Sequence, residues 1–119
     1  MKKQRRRVER LWKAWHGRLG MYGWDIRRTY HEGDFITQDG LPSGPAVAVT
    51  SVDWRYKHGS IAWNLVEVAK LDDERLEYCV VHEIMHVWLH EMRTRGLDHE
   101  ERVATELAWA FLRTQLAAR

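Results

Sequence analysis

The chain has 119 residues, a formal charge of +2, 45% apolar and 11% aromatic side chains, seven histidines, seven tryptophans and one cysteine. That length suits one domain with a sizeable core rather than two enzymatic domains, and the lone Cys79 excludes an internal disulfide or a cysteine-built zinc finger. The charge is too close to neutral to imply a nucleic-acid partner by itself, and no apolar run reaches the roughly 18 residues of a membrane helix, so the expected setting is a reducing cytoplasm.

Lys2, Lys3, Arg5, Arg6 and Arg7 form a basic start, expected to be frayed. Val8, Leu11, Trp12, Trp15 and Leu19 then recur at spacings of three and four, which predicts an amphipathic helix ending near Gly17 and Gly20. Trp24 to Tyr30 reads as a short extended segment. His31 to Pro45 is polar and punctuated by glycine and proline, so a loop is expected, with at most a brief strand at Phe35 to Thr37. Ala46 to Tyr56 is rich in valine, threonine and aromatics, and Lys57, His58 and Gly59 suit a turn. Ser60 to Val68 resumes with Ile61, Trp63 and Leu65 on one face, completing a hairpin signal.

Two helices follow. The first is capped by Asp72 or Asp73 and runs to about Thr94, with Gly96 as its stop. The second has Asp98 at its cap and Glu101 three residues on, the acidic form of a capping box, and continues to the C-terminus. The order helix, strands, helix, helix predicts one α+β domain over residues 1–119.

The first of these helices contains His82-Glu83-Ile84-Met85-His86, an H-E-x-x-H sequence. Histidines four apart lie one turn up and about 40° round the helix, so both imidazoles can reach one tetrahedral zinc ion. Glu83 is rotated by about 100°, poorly placed to ligate but well placed to take the proton of a metal-activated water. Leu76, Val80, Val81, Ile84, Met85, Val87, Trp88 and Leu89 form a broad apolar arc, leaving His82, His86, His90, Cys79 and Glu83 as a narrow polar strip. That pattern suits the floor of a cleft.

Catalytic zinc takes three protein ligands and keeps a fourth position open. In the last helix Val103, Leu107, Ala110, Phe111 and Thr114 are taken to mark the inward direction. Glu100 falls inside that stripe, Glu101 almost opposite, and Glu106 and His99 at its margin. Glu100 is therefore the expected third ligand, with Glu106 and His99 as competitors.

The segments LEYCVVHEIMHVWLH and HEERVATELAWAFL resemble the small gluzincin-type zinc metallopeptidases, in particular the ImmA/IrrE-like and phage-encoded zincin-like proteins. The resemblance spans about Ile61 to Leu112 and implies a zincin-like fold, one zinc ion held by His82, His86 and Glu100, and Glu83 as general base. It also makes Ser60 to Val68 a strand bordering the cleft, along which a protein or peptide substrate would lie. A second resemblance, of RGLDHEERVATE to YbeY-type endoribonucleases, implies His99 as third zinc ligand and an RNA substrate. A third reading is a catalytically silent zinc-binding phage or regulatory protein. His90, His99, Tyr56 and Arg102 are candidates to stabilise an oxyanion. The tryptophans are expected to pack the core and cleft walls, and Cys79 to act as a small hydrophobe.

Overall fold

The computed structural model describes residues 1–36, 40, 44–94 and 100–118, without the side chains of 91–94 and 117–118. Gly96, Asp98, His99 and Thr37 lie outside the described residues, and with them the expected stop, cap and candidate ligand. The elements are α1 (Lys2–Arg18), a 3₁₀ turn (Met21–Gly23), β1 (Asp25–His31), β2 (Ala48–Asp53), β3 (His58–Asn64), a one-turn α2 (Leu65–Val68), α3 (Asp73–Thr94) and α4 (Glu100–Ala118). The chain is α+β, as its element order predicts.

The basic start is not frayed: α1 is helical from Lys2, and Val8, Trp12 and Trp15 are buried along one side. Arg7 ties this helix to the start of α3, donating to Leu71 O at 2.7 Å and to Asp73 Oδ1 at 3.0 Å. Trp15 Nε1 donates to the buried Glu77 Oε2 at 2.9 Å, a second tie between α1 and α3. Asp72 caps α3, its Oδ1 accepting from Arg75 N at 2.8 Å.

β2 and β3 form the expected antiparallel hairpin, and β1 joins β3 in parallel, giving the order β1-β3-β2. The turn falls at Trp54 to Lys57, so His58 and Gly59 belong to β3 rather than to the turn. β3 ends at Asn64, earlier than Val68, because the Asn64 side chain accepts from Val66 N at 3.1 Å and caps α2. Of the strand expected at Phe35 to Thr37, Ile36 forms a bridge, and Thr37 is outside the described residues.

Since β3 is the central strand, both of its edges are already paired. A substrate cannot add to it, and the expectation of an added strand along Ser60 to Val68 does not hold. Among the described residues the edge beside α3 belongs to β2.

Strand alternation puts Ile26, Ile61 and Trp63 on the covered face together with Ala48, Thr50 and Val52. That face meets Val8, Trp12 and Trp15 of α1 and Leu76, Val80, Val81, Ile84 and Met85 of α3 in one core. Trp88, expected in the apolar arc of α3, is instead partly exposed.

The orientation of α4 also differs from the sequence expectation. Its buried residues are Glu100, Ala104, Ala108 and Leu112, a strict i, i+4 line, whereas Ala110 and Thr114 are exposed. The inward face is thus turned by roughly 100° from the stripe drawn through Val103 and Leu107, at about 100° per residue. Two alanines on that line let α4 lie close against α3, so the small residues, not the large ones, mark the contact.

Candidate metal centre

The rotation of α4 decides which acid meets the histidines. Glu101 Oε1 lies 3.0 Å from His82 Nε2, and Glu101 Oε2 lies 2.9 Å from His86 Nε2. Among the described residues these three side chains form the one group of histidine, cysteine or acidic residues whose donor atoms converge, all within 4.8 Å of one another. Glu101, expected to point away as a capping acid, faces both imidazoles.

Glu100, the expected ligand, does something else. It is buried, and its Oε1 lies 2.8 Å from His86 Nδ1. With Nδ1–H donating to Glu100, the Nε2 lone pair of a neutral His86 faces the carboxylate of Glu101. A lone pair set against a carboxylate oxygen is repulsive unless a proton or metal cation lies between them. His82 turns its Nε2 to the other oxygen of Glu101, and burial pushes its pKa below the usual histidine range despite the opposing pull of Glu101. Two imidazole nitrogens and a carboxylate oxygen form a donor set that zinc accepts, so the residues present fit the ion.

Local structure fixes the ring of His82. Tyr78, one turn earlier, stacks on it with centroids 5.5 Å apart, and Trp109 of α4 stacks on Tyr78 at 4.5 Å. Neither aromatic was singled out for this position by the sequence pattern, although the i, i+4 spacing of Tyr78 and His82 was available to indicate it.

Glu83 is 6% exposed and is pushed up to about 7, chiefly by burial, with His86 opposing and Glu101 reinforcing the shift. Thr50 Oγ1 of β2 donates to its Oε2 at 3.4 Å, a long bond that links the edge strand to the acid. No sequence pattern marks Thr50, because only the β2–α3 packing brings it to Glu83.

A cavity of about 310 Å³ opens here, lined by Val47, Ala48, Cys79, His82, Glu83, His86 and Glu101. Cys79 lines it without joining the converging donors, and burial raises its thiol to about 11. Of the other candidates, Glu106 is exposed and pairs with Arg102 at 3.2 Å, while Tyr56 stacks beside His58 near the hairpin turn. His90, Tyr56, Arg102 and Glu106 are not among the residues lining this cavity.

A larger open depression of about 590 Å³ on the outer sheet face holds Asp25, Asp53 and His58. No three donors converge there among the described residues.

Comparison of the chain with protein-family models, with curated proteins and with solved structures gives no match.

Proposed function

We propose that this chain is a zinc-dependent peptidase of zincin-like architecture, with His82, His86 and Glu101 as ligands, Glu83 as general base and Glu100 orienting His86. The observation that carries the reading is the convergence of two imidazole Nε2 atoms and one carboxylate beside a buried acid, in a cavity bordered by a strand edge. Zinc held there supplies Lewis acidity at a carbonyl and a water acidic near neutral pH.

The chain's own groups do the rest. In that role Glu83 would accept a proton from the attacking water and return it to the departing amine, a task its burial beside the donor group suits. Thr50 steadies the Glu83 carboxylate, and Glu100 holds His86 in the tautomer that turns Nε2 toward the ligand group. An extended peptide laid along the outer side of β2, away from β3, would pass Val47 and Ala48 at the mouth of the cavity. Here β2 takes the part first expected of Ser60 to Val68.

The endoribonuclease reading depends on His99 as third ligand, whereas Glu101 supplies a third donor without it. The silent-protein reading has no use for an intact, buried Glu83 beside the donors. Incubation with a reduced, alkylated protein and with single-stranded RNA separates all three. Zinc-loaded wild type is expected to cleave the protein, Glu83→Gln to be slower by about 10²-fold or more, and RNA to survive. Cleavage of RNA alone, or of neither substrate by the zinc-loaded chain, would overturn the peptidase assignment.

A further inference from the structure

Charge is unevenly divided along this chain. α1 carries eight lysines and arginines against Glu9 alone, a net of +7 within a molecule of net +2, so the remainder is net −5. Val8, Trp12 and Trp15 mark the buried side of α1. Lys2, Lys3, Arg6, Arg10 and Lys13 all fall within an arc of roughly 100° on the opposite side, and all are exposed.

Their spacing works against the helix. Lys2 and Arg6, Arg6 and Arg10, and Arg10 and Lys13 are like-charged neighbours at i, i+4 or i, i+3, an arrangement that destabilises a helix. Internal pairing does not compensate. Arg7 is committed to Asp73 and Leu71, and Arg10 lies 4.0 Å from Asp73, but Lys2, Lys3, Arg6 and Lys13 enter no ion pair among the described residues.

We infer that this stripe binds the phosphate backbone of nucleic acid. From Lys2 through Arg6 and Arg10 to Lys13 the cations advance three or four residues at a time, about 5–6 Å of helix rise per step and about 16 Å in all, enough to lie against several phosphates of one strand. An anionic membrane surface fits less well: an interfacial helix must sink its apolar face into lipid, and here that face is already buried against α3 and the sheet. A protein partner fits less well too, since the stripe has no aromatic or aliphatic anchor at its centre. Asp72 and Asp73 border one side and confine the contact to the outward face. α1 lies on the β1 flank, joined there by Arg28 to Glu9 at 3.2 Å, whereas the metal centre lies on the β2 flank. Binding is therefore independent of the peptidase reading.

The test is fluorescence anisotropy with a labelled DNA duplex of arbitrary sequence, comparing wild type with a variant in which Lys2, Lys3, Arg6, Arg10 and Lys13 are all changed to glutamine. Wild type is expected to bind at about micromolar concentration in low salt and to weaken roughly a hundredfold between about 50 and 200 mM salt, as for four phosphates neutralised. The variant is expected to lose at least about tenfold in affinity while its melting temperature holds or rises, because like-charge repulsion has been removed. Equal binding by the variant, no saturable binding by wild type at low salt, or binding to phosphatidylserine vesicles but not DNA would each overturn the inference.

Discussion

Glu83 is the residue whose environment is most out of keeping with its chemistry. In an unfolded chain it ionises near 4.5, and in the fold burial lifts it to about 7. The metal-free folded protein therefore holds its proton through that window, and stability falls as pH rises from below 4.5 through 7. Glu83→Gln removes this dependence. In urea titrations of metal-free protein, wild type is expected to lose about 2 kcal/mol relative to the variant between pH 5 and pH 8; parallel profiles would refute the assigned burial. Cys79 is raised to about 11 by the same burial, with the Glu83 charge adding to it. Iodoacetamide should label it at pH 8 roughly a hundredfold more slowly than a cysteine in a short peptide, read by mass spectrometry, and labelling at the peptide rate would contradict its placement. His82, Glu83 and His86 were legible in the sequence because a four-residue spacing on a helix fixes their relation without any tertiary knowledge. Glu101 was not, since neighbouring acids differ by about 100° and only the packing of α4 decides between them.

That packing is a property of elements. The contact line of α4 runs through Ala104 and Ala108, which an inward direction drawn from larger apolar residues does not detect. Ala104→Leu should force α4 away from α3, costing about 1–3 kcal/mol in thermal unfolding and weakening zinc binding at least about tenfold, because Glu101 moves with its helix. Unchanged zinc affinity in a folded Ala104→Leu protein would show that α4 does not supply the third ligand. In the sheet, Gly59 sits where an added Cβ would lie 2.3 Å from Ser51 O and 2.9 Å from Val52 Cα. Gly59→Ala is expected to destabilise the hairpin by about 1–3 kcal/mol in the same measurement, and a neutral result would contradict the β2–β3 register. The hairpin was visible in the alternation of Ile61 and Trp63. The position of β3 in the middle was not, because its parallel pairing with β1 spans a long intervening segment and leaves no local signature.

Across the whole molecule, two flanks of one small sheet carry opposite chemistry. The β1 flank presents the cations of α1, and the β2 flank presents the cavity where α3, α4 and the strand edge bring Glu83, Glu100 and Glu101 around two histidines. No helix among the described residues is long and apolar enough to cross a membrane. The single cysteine has a consequence for the proposed site: a metal there would be held by imidazole and carboxylate, the ligand chemistry of hydrolytic zinc sites. The most direct measurement is zinc content and affinity of the purified protein by metal analysis and competition with a chromogenic chelator. About one zinc ion per chain is expected, lost in His82→Ala, His86→Ala and Glu101→Ala, retained in Glu83→Gln, and retained with about 10–100-fold lower affinity in Glu100→Gln. Zinc that survives the double change of His82 and His86, or that survives Glu101→Ala but not Glu100→Gln, would contradict the ligand set on which the proposed function rests.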